Sequence, residues 1–435
     1  MLLSVLIFAA IYICIATEKI DKTIVVIMGA FLMFSLNLVP FDTAMRAVDL
    51  NVIFLLIGMM TCVFVLSKTG FFEWIAISVA KRSKGSPIKI MLLFLCVTAF
   101  LSAFLDNVTT IILLAPVTIL IAEILEISPV PFLILEAIAS NIGGTATLIG
   151  DPPNIIIGSQ ANLTFNDFLI NLAPIITIVF LVFLTTVYRI FKNKWNIPEQ
   201  IKKRVTEAIP HLAIIDKKNM IRALIVLGAI FIGFFTHNIT GLKPGIIALA
   251  GSMIMLLVCH TEIDRTLMRV EWGVVLFFIG LFIVVAGLEH NGVIEVMAKF
   301  VIQSAGSNIF LLCLIILVAS AFISAVLDNI PFVIAMIPMV KELIAHLSQY
   351  YGITDPALIQ AKIAHPLWWA LALGACLGGN GTLIGASANV IVSKIGERNN
   401  HHISFFRFFK YGFPVMIQSI IICAIYLWLR YFLKP

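Results

Sequence analysis

Charge is scarce in this 435-residue chain. Only 12% of its residues are Asp, Glu, Lys or Arg, about half the roughly 25% of an ordinary soluble domain, and that is too little to cover a water-exposed surface. A soluble enzyme, a nucleic-acid binder and a secreted scaffold are excluded together. Cysteine is sparse as well. The seven (Cys14, Cys62, Cys96, Cys259, Cys313, Cys376, Cys423) stand singly inside apolar runs, without the close pairs of a zinc site or the loop positions of a disulfide, and read as small hydrophobes. A nucleophile elbow and a phosphate-binding loop are also missing. The chain is therefore not expected to be an enzyme or to carry a resident cofactor.

What is plentiful is hydrocarbon. Hydrophobic residues make up 61% of the chain and the mean hydropathy is +1.09. The apolar runs are continuous and not alternating, which excludes an outer-membrane barrel. About 20 apolar residues cross a bilayer as helix, so an all-α polytopic membrane protein with about ten transmembrane helices is expected. Residues 1–16 lack a basic leader region and a small-residue cleavage site, and read as an uncleaved first helix.

The apolar stretches divide evenly around one long polar segment at 189–222, and the two sides resemble each other at an offset of 222 residues. Gly29 falls on Gly251, Asp42 on Asp264, Ile57-Gly58 on Ile279-Gly280, and Ser102-Ala103-Phe104-Leu105-Asp106-Asn107 on Ser324-Ala325-Val326-Leu327-Asp328-Asn329. After a 13-residue insertion around 349–362, Gly143-Gly144 falls on Gly378-Gly379, Thr147 to Gly150 on Thr382 to Gly385, and Asn154 on Asn389. Chance apolar similarity does not place Asp-Asn and Gly-Gly in the same order twice, and such duplication marks transporter architectures. The expected organisation is a first repeat at 1–190 (hairpin 88–125, broken helix 130–168), a linker at 191–221, and a second repeat at 222–435 (hairpin 306–345, broken helix 365–395).

Orientation follows from the lysines and arginines. If 90–122 and 308–340 are re-entrant hairpins, 22 of the 29 lie on the side of the linker, which is then cytoplasmic. Each half makes five crossings, so the repeats are inverted and both termini face outward. Arms of about 24 and 21 Å, from Ile90 to Leu105 and Thr109 to Ala122, fall short of a 30 Å core. Two full crossings with Asp106 in an outer loop would satisfy the same charge count.

Asp106 and Asp328 then sit at hairpin tips within the membrane, where an aspartate costs at least about 2.5 kcal/mol and usually marks an ion or proton path. They also suit the role of N-cap for the second arm. The two tips should approach each other near the bilayer middle, each facing the broken helix of its own repeat. The second element is the run from Ser140 to Asn154. Gly143-Gly144 should break the helix, Asn141, Thr145 and Asn154 supply oxygens, and Asp151 before Pro152 serves as cap or ligand. Its partner, with Gly378, Gly379, Asn380, Thr382 and Asn389, has Ala386 where the first repeat has Asp151. The site is thus pseudo-symmetric in backbone and asymmetric in charge, and the free ends of broken helices are where transporters bind ions. Loop placement is expected for His365, before Pro366, and for His290, where a helix ends, and 71–84 and 293–300 are expected as interfacial arms.

Leu105-Asp106-Asn107-Val108-Thr109-Thr110, the Gly-Gly-Thr-Ala-Thr-Leu-Ile-Gly-Asp-Pro-Pro-Asn run from Gly143, and Trp368 to Gly381 resemble the ion transporter superfamily. Within it they look most like the citrate-transporter-like branch that joins the melanosomal P protein, arsenite/antimonite permeases and one type of bacterial sodium/proton antiporter. The resemblance covers essentially the whole chain. It implies a scaffold and a moving transport domain, an elevator-like cycle, frequent homodimers, and a bacterial inner-membrane location. The binding residues it implies, with the residues read above, are Asp106, Asn107, Thr109, Asn141, Gly143, Gly144, Thr145, Asp151, Asn154, Asp328, Asn329, Gly378, Gly379, Asn380, Thr382 and Asn389. Na⁺ is expected near Asp106, Asn107, Asp328 and Asn329, with Na⁺ or H⁺ as coupling ion, a small ion as substrate, the lipid bilayer as surroundings and no nucleic acid as partner. Related dicarboxylate symporters carry Ser-Asn-Thr at the tips, and Asp-Asn here weakens a carboxylate-substrate reading. An anion channel and a dicarboxylate symporter stand as the alternatives.

Overall fold

A computed structural model describes residues 1–17, 19–207 and 209–433. Among them every regular element is helical. The first half runs α1 (Leu2–Thr17), α2 (Lys22–Ser35), α3 (Leu50–Ser67), α4 (Phe71–Arg82), α5 (Pro87–Phe104), α6 (Asn107–Ile124), α7 (Val130–Gly144), α8 (Pro152–Gln160) and α9 (Ala173–Phe191). The second runs α10 (Lys217–Thr240), α11 (Pro244–Val258), α12 (Trp272–His290), α13 (Val293–Ala305), α14 (Ile309–Val326), α15 (Asn329–Tyr350), α16 (His365–Gly378), α17 (Ser387–Arg398) and α18 (Phe405–Leu427). Short helices, including Phe41–Ala47, Glu199–Thr206 and Ile263–Leu267, fill the connections. The order of elements in the first half thus recurs in the second, and α3, α5 and α6 begin 222 residues before α12, α14 and α15.

Nine helices among the described residues are long and apolar enough to cross a membrane. Four of them are the arms α5, α6, α14 and α15, and the other five are α3, α9, α10, α12 and α18; α1, α2, α7 and α11 are shorter apolar helices. The arms are longer than expected. Pro87 opens α5 one turn early at the first helical position, a place that suits proline, and α5 and α6 have 18 residues each, about 27 Å. The insertion after Tyr350 leaves α15 at 22 residues. Arm length alone therefore does not make the hairpins re-entrant.

Packing fixes instead how the two hairpins are placed relative to each other. Extended by a wider turn, α18 reaches Phe432 and spans 28 residues, about 42 Å. Just before its start, His401 Nε2 lies 3.4 Å from Glu123 at the base of the first hairpin. At its far end the Phe432 ring is 5.1 Å from Phe310 at the base of the second. The two hairpins enter from opposite ends of one long helix, and their tips meet between. Each first arm packs on its own repeat, α5 on α7 and α14 on α16, whereas the second arms cross over, α6 onto α17 and α15 onto α8. Outside this bundle α3 packs on α11 and α2 on α12.

The helices end at the Gly-Gly pairs: α7 stops at Gly144 before the irregular stretch 145–151, and α16 stops at Gly378 before a 3₁₀ turn at Gly379–Gly381. The glycines also provide proximity, because a Cβ at Gly143 would stand 2.1 Å from the Ala99 carbonyl oxygen, and at the equivalent Gly378 2.5 Å from that of Ala321. One local expectation needs correction. His365 is not in a loop. It is the first residue of α16, its ring 5.8 Å from that of Trp369.

Candidate functional site

Both aspartates at the tips cap their second arms. The Asp106 carboxylate accepts from Val108 N at 2.8 Å and Thr109 N at 3.1 Å, and from the Thr109 hydroxyl. Asp328 accepts from Ile330 N at 3.3 Å. Capping and lining a cavity are combined here, since both line one pocket of about 340 Å³ together with Asn107, Asn329 and Asp151.

The side chain of Asp151 does not act as a cap, although the residue stands at the N-cap of α8. Fully buried, it faces the two tips: Asn107 donates to Asp151 Oδ1 at 3.3 Å and Asn329 donates to it at 3.4 Å. The tips therefore converge on one carboxylate, although their residues are 222 apart in sequence. The second tip departs from expectation here, because Asn329 reaches the broken helix of the first repeat. Asp328 keeps to its own, accepting from Ser387 Oγ at 3.0 Å.

Behind the cavity the broken helices are fastened to each other. Asn141 donates to Asn380 Oδ1 at 2.9 Å and Asn389 Oδ1 at 3.0 Å, and accepts from Asn107 at 3.3 Å. The repeat-related exchange is made by Cys376, whose thiol donates to Asn154 Oδ1 at 3.5 Å. Asn154 Nδ2 ties down the carbonyls of Thr145 and Thr147, at 3.1 and 2.9 Å, and Asn389 Nδ2 those of Gly379 and Thr382, at 2.8 and 2.9 Å. Thr145 bonds the Asn141 carbonyl at 2.7 Å, and Thr382 bonds that of Ala325. Irregular backbone inside a membrane needs such internal partners. Of the expected binding residues, Asp106, Asn107, Asp151, Asp328 and Asn329 line the cavity. Thr109, Asn141, Thr145, Asn154, Asn380, Thr382 and Asn389 build the wall and the breaks, and Gly143, Gly144, Gly378 and Gly379 permit the close approaches.

Sequence reasoning passed over three lining residues. Lys22, the first residue of α2, donates to Asp328 Oδ2 at 2.6 Å and to Ser387 Oγ at 3.0 Å, with its ammonium 5.1 Å from the Phe277 ring centroid. Glu271, just before α12, and Ser387, at the start of α17, also face the pocket. The repeat gave a signal for two of them: Glu271 lies on Asp49, and Ser387 on Pro152. With Asp21, Lys394 and these groups the pocket is lined by five carboxyl and two amino side chains. Among the described residues, no group of three or more His, Cys, Asp or Glu is arranged to hold a metal ion.

Comparison with known proteins agrees with this architecture. The citrate transporter family (CitMHS) matches residues 12–374. An uncharacterized transporter of Mycobacterium tuberculosis is 42% identical over 433 residues, covering 99% of this chain and 98% of its own. The mouse P protein is 33% identical over 506 residues, covering 98% of this chain and 59% of its own. Among solved structures, the YdaH transporter of Alcanivorax borkumensis superposes with a TM-score of 0.58 at 15% identity, over 89% of this chain and 88% of that one.

Proposed function

The chain belongs to the CitMHS citrate transporter family, and on that premise we propose that it is a secondary active transporter of a small ion, coupled to H⁺ or Na⁺, working by an elevator-like cycle as a cation/proton antiporter or an arsenite-type efflux carrier. The observation that carries this reading is the shared carboxylate. Asp151, fully buried, accepts from the side-chain amides of Asn107 and Asn329, and Asp106 and Asp328 flank it on one cavity. A carboxylate removed from water with so few donors leaves its charge under-compensated, and a bound proton or Na⁺ supplies what is missing. Carboxylate oxygens hold either ion, which is what exchange of one for the other requires.

The hairpin bases at opposite ends of α18 support inverted repeats, with Asp106 and Asp328 entering from opposite faces. The excess of Lys and Arg around 189–222 supports a cytoplasmic linker and outward-facing termini, and assembly as a homodimer belongs to the same reading. One observation favours a second: the family is named for citrate, so a carboxylate symporter is the competitor, against the excess of acidic over basic side chains on the cavity wall. An anion channel finds less support, for the same reason. The test is flux into proteoliposomes, first as a screen of Na⁺, arsenite, chloride and citrate against a pH gradient. D106N and D328N should each abolish the pH-coupled component. Full coupled flux in either variant, or citrate uptake untouched by both, removes the assignment.

A further inference from the structure

The two halves of the site share one plan and differ at one corner. Asp106 and Asp328 are repeat-equivalent and begin their second arms alike. The bonds to the Asp106 carboxylate all come from its own arm, from Val108 and Thr109. Asp328 instead holds an ammonium, with Lys22 Nζ at 2.6 Å from Oδ2, and Ser387 Oγ at 3.0 Å from both that oxygen and the ammonium. The positions equivalent to Lys22 and Ser387 in the other half are Pro244 and Pro152, which bring neither charge nor hydroxyl. We infer that Lys22 is a built-in cation that fills the Asp328 half of the site, leaving the Asp106 half to take a single exchangeable monovalent cation. This rests on the transport reading above in taking Asp106 as an ion site.

The chemistry of the corner is that of a cation site. A carboxylate oxygen and a hydroxyl oxygen are hard ligands of the kind a monovalent ion uses, and the face of Phe277 adds the attraction of an aromatic quadrupole for positive charge. The Asp328 side chain is 10% exposed and that of Lys22 32%, so the bridge closes the cavity wall and is not a solvated surface pair. Lys22 also comes from a different layer. It belongs to α2, which packs on α12, whereas Asp328 and Ser387 belong to the hairpin and the broken helix. A second free cation at Asp328 would have to displace a charge that is covalently attached to the protein and always present. Two repeats thus yield one exchangeable cation, not two.

The experiment is equilibrium binding of radioactive ²²Na⁺ to the purified full chain in detergent at alkaline pH, with folding checked by size-exclusion chromatography. Wild type should bind one equivalent, lost in D106N. K22Q and K22M should each bind a second, and K22Q/D328N should return to one. K22R, which keeps the charge, should stay at one. If monodisperse K22Q and K22M bind no more Na⁺ than wild type, or wild type already binds two equivalents, the built-in cation is overturned. Wild type binding none while K22Q binds one would uphold Lys22 and strike out the Asp106 assignment instead, so the two readings fail separately.

Discussion

Replacing Asn141 by alanine tests whether the broken helices are held together as described. Its amide donates to Asn380 Oδ1 at 2.9 Å and Asn389 Oδ1 at 3.0 Å, and all three residues are fully buried. Removing the donor strands two buried acceptors at roughly 1–3 kcal/mol each, a loss of about 2–6 kcal/mol. N141C should lose much less, since a thiol at the repeat-related position, Cys376, makes the matching bond to Asn154. The assay is unfolding in mixed micelles by added SDS, followed by far-UV circular dichroism, with midpoints converted through the linear dependence on denaturant. N141A within about 0.5 kcal/mol of wild type, the range of neutral surface changes, or N141C as unstable as N141A, would refute the reasoning.

Two further outcomes are expected. G143A should destabilise by about 1–3 kcal/mol, because its Cβ meets only backbone, 2.1 Å from Ala99 O and 2.6 Å from Ala99 Cα. G228A, with nothing within 4 Å, should be neutral or slightly stabilising through helix propensity; thermal unfolding of the two variants side by side measures the contrast. In the linker, burial first, then Arg407 and Lys410, lower the Lys194 pKa below its ordinary value. The folded state then releases this proton before the unfolded state does, so this group's contribution makes stability rise as pH climbs toward about 10.4. K194Q should remove that rise, and the difference should shrink in high salt; a K194Q pH profile parallel to wild type counts against it.

Much of the site was legible because the sequence states it twice. A polar residue in an apolar run has only the interior in which to find a partner, so Asp106, Asn107, Asp328 and Asn329 stood out, and the repeat separated them from accident. Family membership and the all-helical transporter fold were likewise readable from the motifs. The role of the glycines was half legible: the helices do end at the pairs, but the close crossing that the missing Cβ also permits depends on the position of the Ala99 and Ala321 backbones. Lys22 read as one more basic loop residue. Its meaning depends on α2 delivering it to a tip 306 residues away, a contact that no local pattern encodes. The crossing of Asn329 to the other repeat's Asp151 is hidden for the same reason.

The meeting of both tips on Asp151 bears on how a duplicated gene diverges. Residues near the seam between two related halves compete with their own copies for one space, and two carboxylates confined there would repel each other with little water to screen them. Only one need be kept when the other half can reach it, and Ala386 stands where the second acid would be. Asn141 opposite Cys376 and Thr145 opposite Asn380 also differ between the halves, and Asn141, Asn380 and Cys376 make bonds across the seam. Ser102 and Ser324 lie within their own halves, bonding the equivalent carbonyls of Ser140 and Ala375 at 2.7 and 2.6 Å, and have been free to stay alike. Symmetry in this protein is kept in the walls and given up on the axis, where one space cannot hold two copies of the same residue.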